Sequence, residues 1–397
     1  MPGLATDMPV ELFREKLLAW YDAHARDLPW RRPPRAKGTR DPYRVWVSEI
    51  MLQQTRAAAV IAHYHEFLRR FPTVEKLAAA REASVLAAWS GLGYYRRARM
   101  LHRAAKVVVR ELGGKFPASA EGWRELPGVG RYTAGAIASI AFGEPVAVVD
   151  GNVERVLQRV SGQRLAGERL WAAADGLLDR GWPGDFNQAM MELGATVCTL
   201  RAPACLTCPV VDLCATRGEM AGGAKAAQQK KREIDYALAL RSENARDGAV
   251  FLVQRPRDAR LMPGMWELPE IPSGAKAPSN GVGEIAALKR CATQKQVPPA
   301  RVATRRNDKT RGNGKTNGND KTSGNGKAAT MIPELCLTLK HSITVTDYTV
   351  RVWRGPASHR TGGEWVAFER LKRLALTGLA RKILRKTEII AAPRSRV

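Results

Sequence analysis

Between Glu11 and about Gly194, apolar residues recur at three- and four-residue intervals, the period of helices that bury one face. The pattern breaks at Pro33-Pro34, Phe71-Pro72, Gly113-Gly114 and Trp182-Pro183-Gly184, where proline removes a backbone donor and glycine eases a turn. Few segments alternate with period two, so residues 9–217 predict an all-α domain. The stretch from Gly222 to Arg232 is rich in Ala, Gln and Lys and lacks bulky apolar residues, which marks 218–233 as a linker. Beyond it, Tyr236–Arg241, Ala249–Val253 and Thr344–Arg354 read as strands, the last with many β-branched residues, so 234–385 predicts an α+β domain. Inside that domain Asn307–Lys327 contains no apolar residue and repeats Gly, Asn, Lys and Thr. Such a tract cannot offset its ordering entropy, and a disordered insertion is expected.

Composition narrows the partners. A chain of 397 residues is long enough for two domains, and 45% hydrophobic with 26% charged residues is the balance of a protein that buries real cores. Lys and Arg number 64 against 38 acidic residues, a net charge of +26, which points to a polyanion: nucleic acid first, an anionic membrane surface second. The most apolar run, Ala134–Val149, is broken by Glu144 and Pro145, so no membrane span is expected. Asp7 and Glu11 stand where a signal peptide would be basic and then apolar. The expectation is a cytoplasmic monomer, nucleoid-associated if bacterial.

Four cysteines, Cys198, Cys205, Cys208 and Cys214, crowd into one segment with spacing x6, x2 and x5 and can converge on one centre. Spacing alone leaves zinc and an iron–sulfur cluster open, since four thiolates hold either. A second motif, Leu126-Pro-Gly-Val-Gly130, lies between the helical patterns Ser119–Glu125 and Tyr132–Ala141. Gly128, Val129 and Gly130 would present backbone N–H groups, ahead of a helix N-terminus, to a phosphate. The same residues would also make a tight helix–helix turn. Next, the apolar run Val148-Val149 ends in Asp150, placed to cap the helix that begins at Gly151-Asn152. Backbone donors to a capping carboxylate favour its anion, the species that stabilises a developing cation. Finally, Glu49 shares a helical face with Val45 and Leu52, so its carboxyl sits on an apolar stripe and should have a raised pKa, as a general acid needs.

Taken in order, Leu28-Pro-Trp-Arg31, Ser48-Glu-Ile-Met-Leu-Gln-Gln-Thr55, Gly91-Leu-Gly-Tyr-Tyr-Arg96, Leu126-Pro-Gly-Val-Gly-Arg-Tyr-Thr133, Val149-Asp-Gly-Asn-Val153 and Met191-Glu-Leu-Gly194 precede the four cysteines. As a set they resemble the adenine DNA glycosylase (MutY) family of the helix–hairpin–helix glycosylases, over about Pro9 to Arg217. The resemblance implies excision of adenine opposite 8-oxoguanine or guanine in duplex DNA, and a [4Fe–4S] cluster on the four cysteines. It makes Glu49 the acid that protonates adenine and Asp150 the carboxylate beside the sugar cation, with Tyr132 and Asn152 in support. It places Trp30, Arg31, Leu52 and Glu192 in the adenine pocket. Gln54 and one of Tyr94 or Tyr95 would enter the base stack, because adenine must be flipped out to be reached. Two carboxylates are the logic of glycoside hydrolysis, in which the second acts either as a fixed charge or as a nucleophile. Related enzymes that also cut the strand carry a Schiff-base lysine at the position of Tyr132, so a monofunctional enzyme is implied.

The C-terminal domain resembles the family's Nudix-like module that reads 8-oxoguanine, chiefly through Leu261-Met-Pro-Gly-Met-Trp-Glu-Leu-Pro269. Gly283–Ala292 holds a single carboxylate, so Nudix hydrolysis is not expected. The family's recognition loop often reads His-x-Phe-Ser-His. Here it is His341-Ser-Ile-Thr-Val345, which keeps a hydroxyl at Thr344, the residue implied to contact the opposite base. Two alternatives remain: a bifunctional glycosylase on the same scaffold, disfavoured by Tyr132, and a non-catalytic DNA-binding protein, disfavoured by the presence of both Glu49 and Asp150.

Overall fold

The computed structural model describes residues 8–36, 40–220, 230–242, 248–259, 261–271, 334–343, 346–355 and 362–390. The expected insertion 307–327, the segment 283–292, and Thr344 and Val345 lie outside the described residues. No helix among the described residues is long and apolar enough to cross a membrane.

The N-terminal half is helical, and its chain path explains where a site can form. α1 (Val10–His24) packs with α9 (Gly151–Ser161), α10 (Gly167–Leu177) and α11 (Pro183–Thr196) around Phe13, Leu17, Leu157, Leu177 and Phe186. A second core, built on Trp46, Phe67, Trp89, Leu101 and Trp123, belongs to α2 (Pro42–Leu52), α3 (Ala57–Arg70), α4 (Val74–Ala79), α5 (Glu82–Trp89), α6 (Arg96–Arg110), α7 (Ala120–Arg124) and α8 (Arg131–Ile137). The chain therefore leaves one core after α1, builds the other, and returns at α9. α8 continues into a five-residue π-helical turn, Ala138–Phe142, which the helical pattern over Tyr132–Ala141 does not distinguish from α-helix. After α11 come two short 3₁₀ turns, Cys205–Thr207 and Val211–Leu213, in the cysteine-rich segment.

Among the described residues, the C-terminal half holds two sheets around Leu238, Val250, Leu252, Val350, Val352 and Val366. One runs β5 (Glu270–Ile271), β1 (Lys230–Leu238), β7 (Thr346–Arg354), β6 (Glu334–Ile343), with β1 parallel to β7 and β6 antiparallel to it. The other joins β3 (Ala249–Gln254) to β2 (Leu240–Ser242), β4 (Trp266–Glu267) and β8 (Gly363–Ala367). A last helix, α12 (Gly378–Lys386), lays Leu379, Ala380, Ile383 and Leu384 on the sheet core. β1 begins at Lys230, inside the expected linker: pairing with β7 from Lys230↔Thr346 onward recruits a segment whose own composition carries no strand signal. Likewise His341 and Ser342, expected in a loop, lie within strand β6, near its end, opposite Tyr348 and Asp347.

The two halves share a packed seam. Met265 and Ala375 are buried in the core of α2–α8. The carbonyl of Leu376, itself fully buried, accepts from Ser90 Oγ at 2.7 Å and Tyr95 Oη at 3.0 Å. Arg381 Nε donates to Ser90 Oγ at 2.8 Å, and Arg99 Nη2 donates to the Pro263 carbonyl at 2.6 Å. A double Ser90→Ala, Tyr95→Phe variant strands that buried carbonyl, and thermal melts should show a loss of about 1–3 kcal/mol, against well under half of that for either single change.

Candidate active site

α2 is buried nearly all round. Asp41 caps it by accepting from the N–H groups of Tyr43 and Arg44, Pro42 sets its first turn, and every residue from Val45 to Met51 is buried. Glu49 therefore has little water to ionise into; it is 6% exposed, and burial pushes its pKa up to about 7. Tyr132 Oη donates to Glu49 Oε2 at 3.0 Å, which opposes that rise, and the charge of Asp150 adds to it. Burial and the same two carboxylates drive the Tyr132 pKa far upward, so the phenol stays a donor.

Asp150 comes from the other core. It stands at the N-cap of α9, where Oδ1 accepts from the N–H groups of Asn152 (2.9 Å) and Val153 (2.8 Å), and Oδ2 accepts from Asn152 Nδ2 at 3.0 Å. Thus Glu49 on α2 and the capping carboxylate of Asp150 on α9, each from a different helical core, come close enough for the charge of Asp150 to raise the Glu49 pKa. α11 packs against α9 here. A Cβ on Gly194 would lie 2.6 Å from Asn152 Cβ and 2.9 Å from the Asn152 carbonyl oxygen, so only glycine lets α11 approach the cap.

Arg155, one turn along α9, was not foreseen from the sequence. Its Nη2 donates to Asn152 Oδ1 (2.8 Å) and the Gly194 carbonyl (2.6 Å), and its Nε donates to the Cys198 carbonyl at 2.7 Å. Arg159, one turn further, donates to the carbonyls of Thr199 and Leu200 and lies 3.3 Å from Cys198 Sγ. One helix thus holds both the carboxylate and the cysteine segment. The signal available was two arginines at helical spacing after Asn152, which reads equally well as a solvated face.

The residues assigned to the adenine pocket gather nearby. Glu192 is buried on α11; burial opposes its ionisation, but hydrogen bonds and charge from Arg26 and Arg31 hold its carboxyl below the usual range. Arg31 donates to Glu192 Oε2 at 2.8 Å and lies over the Tyr21 ring. Trp30 meets Tyr64 edge-on, and Leu52 packs half-buried at the end of α2.

Gln54 and Tyr94 both adopt left-handed backbone conformations, φ +55° and +47°, and Tyr94 is 47% exposed. Tyr95 corrects the expectation that either tyrosine could enter a base stack: it is 3% exposed, and its hydroxyl is committed to the Leu376 carbonyl. In the hairpin, Gly128 (φ +79°) packs its Cα against Met100, where a Cβ would clash. The Val129 N–H, expected to face a phosphate, instead donates to the Leu126 carbonyl inside the turn at 3.1 Å, with the Val129 side chain buried. Gly130 caps α8, and a Cβ there would meet no protein atom within 4 Å.

The four cysteines are free thiols that line one cavity together with Val156, Val160, Leu193, Val197 and Val210. Among the described residues, no three Cys, His, Asp or Glu side chains are gathered into a single-ion site. Burial pushes the Cys208 thiol up to about 11, and the other three cysteines add to that rise. Four thiolates can coexist there only with positive charge between them.

Residues 47–166 match the HhH-GPD superfamily of base excision DNA repair proteins. Over 318 residues the chain is 43% identical to the adenine DNA glycosylase of Homo sapiens, an alignment covering 66% of this chain and 58% of that protein. Over 223 residues it is 45% identical to the adenine DNA glycosylase of Mycobacterium tuberculosis, covering 55% of this chain and 71% of the relative. Among solved structures, a thermostable thymine-DNA glycosylase is 32% identical with a TM-score of 0.49, covering 52% of this chain and 96% of that one. The chain spans 58% and 52% of the human and rat relatives it matches. Sequence identity at this level, over most of the mycobacterial protein, establishes that the chain belongs to the adenine DNA glycosylase family.

Proposed function

We propose that the protein is a monofunctional glycosylase that flips adenine out of duplex DNA where it lies opposite 8-oxoguanine or guanine, and hydrolyses its glycosidic bond. The observation that carries this reading is the pair of unlike carboxyl groups: Glu49, buried with its pKa near 7, and Asp150, held by three donors. Adenine leaves poorly as an anion. Glu49 protonates the ring, with Tyr132 fixing the carboxyl, and the C–N bond breaks ahead of attack by water. Asp150, kept in place by Asn152, supplies the negative charge that the sugar cation needs. Tyr132 stands where a strand-cutting relative would place an amine, and a phenol forms no Schiff base.

In the same reading, Gln54 and Tyr94 prop the gap left by the flipped base, and the C-terminal, Nudix-like domain reads the opposite base. A cavity of about 1090 Å³ between the Gly91–Tyr95 loop, Leu261–Pro263, His341–Ser342 and α12 supports that placement. The test is incubation with duplexes carrying adenine opposite 8-oxoguanine, guanine or thymine, then alkali to reveal abasic sites. Release opposite 8-oxoguanine and guanine but not thymine is expected, and a chain that releases none is no adenine glycosylase.

The cysteine cavity suits a [4Fe–4S] cluster, held by Cys198, Cys205, Cys208 and Cys214. Four thiols lining one apolar cavity fit a group of several atoms, and Arg159 places a cation 3.3 Å from Cys198 Sγ. When bound, the group cross-links the segment and supplies the positive charge that four thiolates require. The purified protein should be brown with about four iron atoms per chain. Cys205→Ser should lower iron content and DNA affinity together, whereas stoichiometric zinc without visible absorbance would refute the assignment.

A further inference from the structure

We propose that Arg97 is a positioning residue that locks Gln54 and Tyr94 into a single unit, an inference that rests on the excision reading above. Arg97 lies in the first turn of α6. Its Nη1 donates to the carbonyls of Ile50 (2.9 Å), Met51 (2.9 Å) and Gln53 (2.5 Å), which close α2 and lead into Gln54. Its Nη2 donates to Thr55 Oγ1 (3.2 Å) and to the carbonyls of Leu92 (3.2 Å) and Gly93 (3.3 Å), which lead into Tyr94. Six acceptors from two segments distant in sequence thus share the four Nη N–H bonds of one planar guanidinium. The same group lies 5.4 Å from the Trp89 ring centre and 5.5 Å from that of Tyr94.

Two features give this clasp a purpose beyond ending a helix. Gln54 and Tyr94 are non-glycine residues at φ +55° and +47°, a left-handed conformation that is strained for them and persists only where the surroundings enforce it. Glycine would remove the strain, but it would also remove the side chain that enters the stack. The bonds of Arg97 fall on the residues flanking both positions: Gln53 and Thr55 about Gln54, and Gly93 before Tyr94. The second feature is the cost of placing a cation there. Burial pushes the Arg97 pKa down to about 10, and among the described residues none of its hydrogen bonds goes to a carboxylate, so carbonyl dipoles and ring faces are what hold the charge. Lysine, with three donors and no plane, cannot bridge both loops.

The test uses the full chain with Arg97→Ala and Arg97→Lys, in single turnover, on two duplexes. In one, adenine lies opposite 8-oxoguanine; in the other it lies opposite an abasic-site analogue, where it is already unpaired and easier to extrude. Arg97→Ala should slow the paired duplex about ten- to a hundredfold and the unpaired one less than about threefold, with Arg97→Lys between. The fall in rate with rising pH that Glu49 sets should keep its midpoint. In a Tyr94→Ala background, Arg97→Ala should add less than about twofold, since the two act as one unit. Equal slowing on both duplexes, a shifted midpoint, full additivity with Tyr94→Ala, or no slowing at all overturns the proposal. If Arg97→Ala does not fold, Arg97→Lys carries the same comparison, and equal slowing on both duplexes again overturns the proposal. Fluorescence of 2-aminopurine placed beside the adenine reads stack opening on binding without excision: wild type should brighten and the variants less, and equal brightening overturns the role of Arg97. Wild-type protein that opens the stack yet releases adenine from neither duplex instead overturns the excision reading.

Discussion

Glu49→Gln should reduce single-turnover excision by at least the 10² to 10⁴ that a general acid contributes, while mispair binding stays within about tenfold. Gln fills the same space, and its amide oxygen can still accept from the Tyr132 hydroxyl that now meets the carboxylate at 3.0 Å. Only proton donation is removed. In the wild type, donation requires the protonated carboxyl, so the rate should fall as pH rises through about 7. The same substitution should alter stability in the opposite sense. Burial raises the Glu49 pKa from its ordinary 4.5 to about 7, so between those values the folded state binds more protons than the unfolded one. Folding stability therefore declines as pH climbs from 4.5 to 7, by an amount on the order of 3 kcal/mol, and the cost is complete above 7. Glu49→Gln abolishes that decline, so the variant should melt higher than wild type at pH 8 and show a flatter melting profile from pH 5 to 8. An inactive variant with unchanged pH dependence of melting would mean that Glu49 is not the buried titrating group. A variant that excises normally would mean that it is not the acid.

This opposition between stability and chemistry bears on what the sequence could reveal. The apolar stripe Val45–Leu52 announced a buried Glu49 because a helix places every third or fourth residue on one face, and that face is set by local sequence alone. The cap at Asp150 was legible for a similar reason, since the carboxylate bonds N–H groups only two and three residues away. The contacts that join elements were not legible. Arg155 reaches Cys198, and Arg97 reaches α2, only after helices distant in the chain have packed, and an arginine on a helix is compatible with solvent until that happens. Tyr94 and Tyr95 are adjacent and chemically identical; what separates them is the Leu376 carbonyl, from the other half of the chain, which captures one hydroxyl and leaves the other ring exposed. The early start of β1 has the same origin, because a charged strand such as Lys230-Lys-Arg-Glu233 is fixed by its parallel partner β7 and not by its own pattern.

Asp150→Asn should lower excision by about a hundred- to a thousandfold, the usual result of removing one electrostatic contact to a charged transition state, and should also destabilise the fold. The second effect follows from the geometry of the cap. Oδ1 takes two backbone N–H groups, and an asparagine oxygen can take them equally well. Oδ2, however, accepts from Asn152 Nδ2, and the amide nitrogen of the variant would turn a donor toward that donor. Asn152 cannot simply reverse its amide, because Arg155 Nη2 donates to its Oδ1. Relief must come from Asn152 letting go of Arg155, which also braces Gly194 and Cys198, so the disturbance should spread to the cysteine segment. Loss of about 1 kcal/mol or somewhat more is expected in a thermal melt. Asp150→Ser separates the two effects. Serine caps a helix about as well as aspartate and sets no donor against Asn152, but it carries no charge. It should recover most of the stability lost in Asp150→Asn and none of the activity. If Asp150→Ser excises adenine nearly as fast as wild type, Asp150 serves α9 as a cap, and the charge facing the sugar must come from elsewhere.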